Sequence, residues 1–193
     1  MERMEKVEKV EKTTVYFGAS KGKSFISKII KWFQWGDPHT HIFYVVSKDD
    51  IKNPTVIEAW HEPLLRGGQV RLGKFFEENK YHTKGTEITY YSLSVTPQQK
   101  VALEKYLMSK IGFKYDLLGI LGFATRLSNT HSSNKYFCSE LIFDGLQHIG
   151  VDLLKDTVPQ SVTPAMFVKS PLLTKLKRVT DVTDVTEVTE VKQ

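Results

Sequence analysis

The order of the secondary-structure signals constrains this chain more than any single motif. Short runs rich in β-branched and aromatic residues come first, and helical patterns follow. Thr13–Phe17, His41–Val46, Thr55–Trp60, Gln69–Leu72 and Glu87–Leu93 read as strands. One helix interrupts them. Ser24 caps an amphipathic pattern with Phe25, Ile26, Ile29, Ile30 and Phe33 on one face, and Gly36-Asp37-Pro38 ends it. The neighbouring Trp32, Phe33 and Trp35 are expected in the core or over a sheet edge. Glu62-Pro63 and Gly67-Gly68 signal loops. Thr96-Pro97-Gln98-Gln99 then opens a second helix, with threonine at the N-cap, proline at the first helical position and glutamine at the third. That helix is predicted to use Val101, Leu103, Tyr106 and Leu107 and to end near Gly112. Further helices are expected from Tyr115-Asp116 to about Leu127, and from Cys138 to a stop at Gly150. Thr163-Pro164 begins a last short helical turn. Strands in the first half with helices framing both ends predict the α+β class, an antiparallel sheet with helices packed against it.

The two ends are of a different kind. Residues 1–12 repeat Glu-Lys-Val, and residues 179–193 repeat Val-Thr-Asp or Val-Thr-Glu, both with period three. Neither period presents one face to a core, so both read as low-complexity tails around a single domain at 13–178. Without the tails, 22 Lys and Arg stand against 14 Asp and Glu. The body is therefore basic and suited to an anionic surface. No apolar run approaches the roughly 20 residues of a membrane span. The charged N-terminus lacks a signal-peptide core. The expected location is the cytoplasm, or a virus particle. No zinc-finger spacing, RNA-recognition motif or phosphate-cradling glycine loop is present, so nucleic acid is not an expected partner.

Cys138 is the one cysteine. It can form neither an intramolecular disulfide nor a multi-cysteine zinc site. Its place at a helix start favours a reactive thiol, because the N–H groups there stabilise thiolate. A thiol nucleophile needs an imidazole base and a polar group to orient that base. His41 opens a strand, and Glu58 lies in the next, within Val56-Ile57-Glu58-Ala59-Trp60. Glu58 and His61 both follow His41. Their odd separation puts them on opposite strand faces, and Glu58, inside the run, is the better orienting residue. A rival reading takes His39 and His41 as a metal-binding pair, with Glu58 or His61 as further ligand.

The blocks His41-Ile42-Phe43-Tyr44-Val45, Val56-Ile57-Glu58-Ala59, Gly112-Phe113-Lys114-Tyr115-Asp116 and Tyr136-Phe137-Cys138-Ser139-Glu140-Leu141 occur in that order. In this the chain resembles the permuted papain-like thiol hydrolases, the YiiX/YaeF-type relatives of the NlpC superfamily, distantly similar to lecithin–retinol acyltransferase. In the permuted group the histidine precedes the cysteine, as here. The resemblance implies a circularly permuted papain-like fold and a cysteine hydrolase needing no cofactor or metal. Cys138 would be the nucleophile, His41 the base and Glu58 the orienting residue. Tyr115, beside the nucleophile, and Ser139 would contact substrate. The implied substrate is a peptide or amide. An acyl lipid met at an anionic surface is the alternative, and a non-catalytic binding domain is a third reading. His131 has no assigned role.

Overall fold

The computed structural model describes residues 11–22, 25–47, 53–61, 67–77, 82, 86–116 and 134–179. Ser24, Glu62-Pro63, the stretch from Leu117 to Leu127, His131, and both tails over 1–10 and 180–193 lie outside the described residues. Five strands match the sequence signals: β1 (Thr13–Ser20), β2 (His41–Ser47), β3 (Thr55–His61), β4 (Gly68–Lys74) and β5 (Ile88–Val95). Three more were not anticipated: β6 (Lys114–Tyr115), β7 (Lys135–Tyr136) and β8 (Thr174–Val179). The helices are α1 (Phe25–Phe33), α2 (Pro97–Ser109), α3 (Cys138–His148) and α4 (Pro164–Val168), with a 3-10 turn at Pro159–Ser161.

All eight strands form one sheet in the order β7-β6-β4-β3-β2-β1-β5-β8. The pairings are antiparallel except β6 with β7, so the expected wholly antiparallel sheet is corrected to a mixed one. A parallel pair needs a long connection, and the interval from Asp116 to Asn134 provides it. The class is α+β.

The strand β2 shows why the centre of the sheet reads as an unbroken apolar run. Ile42 and Tyr44 join the larger core cluster with Leu103 and Leu107 of α2 and Leu141, Ile142 and Leu146 of α3. Phe43 and Val45 face the other way, into a smaller cluster with Val56, Phe75, Ile88 and Tyr90. Both faces are covered, so alternation of apolar with polar residues is lost. Each such buried side chain contributes about 1.5–3 kcal/mol. The smaller cluster depends on Gly18, which lies opposite Phe43 in the β1–β2 register. A Cβ there would sit 2.0 Å from the Phe43 ring, so only glycine admits that ring.

Capping follows the sequence. Thr96 accepts from the Gln99 N–H at 3.1 Å, and the Gln99 side chain accepts from the Thr96 N–H at 2.9 Å. Gly150, at φ 75°, closes the end of α3 in the left-handed conformation. Within α2, Leu103 and Leu107 are buried, whereas Val101 faces solvent. No helix among the described residues is long and apolar enough to cross a membrane.

Candidate active site

The sheet register brings the charged residues together. β3 pairs with β4 so that Glu58 stands directly opposite Arg71. β2 pairs with β3 on the other side, with Tyr44 opposite Ile57. His41 therefore begins a strand adjacent to the one that carries Glu58. Its Nε2 lies 2.5 Å from Glu58 Oε2. The same oxygen receives Nε2 of His82 at 2.9 Å. The other carboxylate oxygen is ion-paired with the Arg71 guanidinium. Glu58 is fully buried and its three partners nearly so. An ionised carboxylate only accepts, so both imidazoles present an N–H to it. A buried anion is tolerated only when paired in this way.

Cys138 is the first residue of α3 and is buried. Its thiol acts on the His41 ring, helping to raise that imidazole's pKa. Nε2 of that ring is turned to Glu58. The arrangement is thus a thiol, an imidazole and a carboxylate in series. The first N–H groups of α3 have no acceptor within the helix and point toward the thiol end.

The titrating groups divide sharply. Burial pushes the His41 imidazole down, but Cys138 and Glu58 together outweigh it and raise its pKa to about 9. Burial pushes His82 down to about 4, against the pull of Glu58. Burial alone would raise the Glu58 carboxyl, yet His82 and His41 hold it well below the usual range. At neutral pH the cluster is an imidazolium, a carboxylate and a neutral imidazole. Glu140, in the first turn of α3, is pushed up by burial to about 8 while accepting the Phe137 N–H at 3.2 Å. It stays uncharged at neutral pH, so it does not cancel the positive end of the helix dipole beside the thiol.

The remaining expected residues fall in varied places. Tyr115, half-buried in β6, has its hydroxyl pKa driven up by burial and by Cys138, Asp116, Glu58 and Glu140, which places it in the electrostatic neighbourhood of the thiol. It meets the His61 ring edge-on at 5.3 Å. His61 is thus turned to Tyr115, and Glu58 alone of the two takes His41. Ser139 is fully buried and donates to the Val162 carbonyl at 2.6 Å, so its hydroxyl is committed to the fold. His39 precedes β2 rather than lying within it, and its Nδ1 bonds Asp37 at 3.0 Å. Among the described residues, His39 belongs to no group of ligand atoms close enough to share a metal ion. Among the described residues, the group whose ligand atoms all lie within 4.8 Å is His41, Glu58 and His82. Sequence reasoning missed two of these neighbours. Arg71 was findable, because a β3–β4 hairpin pairs it with Glu58. His82 was not, because it belongs to no periodic run. It is placed by stacking on Phe75, with ring centroids 3.7 Å apart and planes within 13°.

No family model matches the sequence, and no curated protein matches it. Among solved structures, the crystal structure of the metalloprotein YiiX from Escherichia coli O157:H7 is similar, with a TM-score of 0.56 over 86% of this chain and 97% of that one. The fold is YiiX-like. Sequence identity to YiiX is 18%, so the likeness bears on the fold and not on the chemistry.

Proposed function

We propose that the chain is a cysteine-dependent hydrolase acting on an amide, peptide or ester carbonyl. The observation that carries this reading is the Cys138–His41–Glu58 series, with the thiol at a helix N-terminus. His41 takes the Cys138 proton as the sulfur adds to the carbonyl carbon and the carbonyl π electrons move onto oxygen. The N–H groups at the start of α3 face that developing oxyanion, with Tyr115 nearby as a neutral donor. Collapse expels the leaving amine or alcohol, which takes its proton from the His41 imidazolium. A water then attacks the thioester while His41 accepts its proton, releasing the carboxylic acid and the thiol. Glu58 holds the His41 ring in one orientation and stabilises its cation. Arg71 and His82 hold Glu58.

A second reading follows from the His41, Glu58 and His82 donor set, which suits zinc with an open position, and from YiiX being described as a metalloprotein. The donor types fit the ion. Arg71, paired to the same carboxylate, opposes a dication there. These residues would hold the metal, which would supply Lewis-acid chemistry. One experiment separates the readings. Turnover is measured on a panel of peptide, amide and acyl-lipid substrates, with and without a chelator, for wild type and Cys138→Ala. The hydrolase reading requires loss with Cys138→Ala and indifference to chelator. Full activity in Cys138→Ala with chelator sensitivity would establish the metal reading instead.

A further inference from the structure

The helix α1 and the turn after it present an aromatic and basic surface that the proposed chemistry does not use. The sequence reading put Trp32 and Trp35 in the core or over a sheet edge. Instead Trp32 is 77% exposed and Trp35 is 99% exposed. In a helix, residues 28, 31 and 32 share one face, and Lys28, Lys31 and Trp32 all point to solvent while Ile30 is buried beneath. From Lys21 to Trp35 the chain has four lysines and no acidic residue. Asp37, the nearest carboxylate along the chain, bonds His39 and pairs with Lys169.

Trp35 also holds an unfavourable backbone. It lies at φ 59°, where the Gly36 N–H reaches back to the Lys31 carbonyl at 2.8 Å. Glycine or asparagine is the ordinary occupant of that helix-ending position. A bulky side chain there is strained, and this one gains no burial in return. The strained turn is nonetheless firmly mounted. The buried Gln34 donates to the Asp37 and His39 carbonyls and accepts the Ala165 N–H at 3.2 Å. His41 lies two residues beyond His39.

We propose that the solvent face of α1 and its closing turn dock the protein on an anionic phospholipid membrane. Trp32 and Trp35 seat at headgroup depth, where indole is favoured. Lys28 and Lys31 face the lipid phosphates. The mount through Gln34 then fixes how the Cys138–His41 site is presented to that surface. Binding needs no turnover, so it stands or fails separately from the hydrolase reading.

The test is co-sedimentation of the full chain with phosphatidylcholine vesicles, with or without about 30% phosphatidylserine. Wild type is expected to bind the anionic vesicles at least about tenfold more tightly, and to release at high salt as charge is screened. Trp32→Ser with Trp35→Asn is expected to weaken binding about tenfold or more. Asparagine tolerates the turn's backbone, and an unchanged rate of Cys138 alkylation verifies the fold. Lys28→Glu with Lys31→Glu is expected to remove the preference for phosphatidylserine. Equal binding by wild type and both variants, or no binding by wild type to anionic vesicles, would overturn the proposal. So would binding to a single-stranded RNA oligomer alone that these substitutions abolish.

Discussion

Glu58 and Asp144 each accept two side-chain donors on one oxygen, yet the two clusters serve different ends. Asp144 Oδ2 takes the hydroxyls of Tyr106 at 2.5 Å and Tyr136 at 2.9 Å. Lys110 lies over the Tyr106 ring, 4.6 Å from its centroid. This cluster ties α2, β7 and α3 together. Burial, reinforced by Asp144, pushes the Tyr106 hydroxyl up to about 12, so it keeps its proton at any physiological pH. Around Glu58 the donors are imidazoles, one raised to about 9 and the other lowered to about 4. The hydrogen-bond geometry is nearly the same. What differs is whether a proton can leave. A carboxylate clamped by phenols is a fastener, and one clamped by imidazoles of unequal basicity is part of an acid–base system.

The hardest test of the contrast removes the groups themselves. Cys138→Ala should abolish turnover and leave no iodoacetamide labelling, since no other cysteine exists. Glu58→Gln should cost roughly 10²–10⁴ in turnover with the fold retained. Asp144→Asn should leave turnover within about twofold but lower stability by about 1–3 kcal/mol, as two phenol bonds weaken. Paired kinetic and denaturant measurements check both. A large kinetic defect in Asp144→Asn would break the distinction. His61→Ala should change turnover less than Glu58→Gln does, because Glu58 is the residue bonded to the His41 ring.

The two histidines also predict opposite pH limits. His41 is raised, so its stabilising share is complete below about pH 6.5 and is lost as pH rises through about 9. His82 is lowered, so its share is present above about pH 6.5 and is lost as pH falls through about 4. Melting temperature against pH should therefore peak between these limits. His41→Ala should remove the alkaline limb and slow alkylation of Cys138. A smaller effect is expected at Glu140. Its carboxyl is raised to about 8, so stability is lost as pH rises from about 4.5 through 8. Glu140→Gln keeps the acceptor for Phe137, and should raise the melting temperature by about a few degrees at pH 7 and hardly at all at pH 4. An unchanged value at pH 7 would show that the carboxyl is solvated.

The parts legible in the sequence were those with local patterns. β2 and β3 were readable from His41-Ile42-Phe43-Tyr44-Val45-Val46 and Val56-Ile57-Glu58-Ala59, and α2 from Thr96-Pro97-Gln98-Gln99. Of the residues picked out, His41 and Glu58 are hydrogen-bonded, and Cys138 bears on the His41 ring through its pKa. β6 and β7 were not readable, because two-residue strands have no period. β8 carries Lys175, Lys177 and Arg178 around the buried Leu176, the composition of a protected edge strand rather than a core one. It ends on Val179, the first residue of the repeat read as a tail. His82 lay hidden because its contacts span 24 residues to Glu58. The tryptophans were misjudged because their apolar character argued for burial, and nothing local marks a large ring held in solvent.

Gly18 lies in β1, a strand that contributes no side chain to the chemistry. Its missing Cβ admits the Phe43 ring, Phe43 meets Phe75 at 4.6 Å, and Phe75 carries His82. The alignment of the Glu58 cluster is therefore set in part by an empty volume two rings away. Gly18→Ala would displace the stack while the backbone pairing of β1 survives. That is the profile of a heat-sensitive lesion: at low temperature the rings accommodate and the site closes, and on warming catalysis fails before the fold does. In a genetic screen such an allele would map outside the site and behave as though it lay within it.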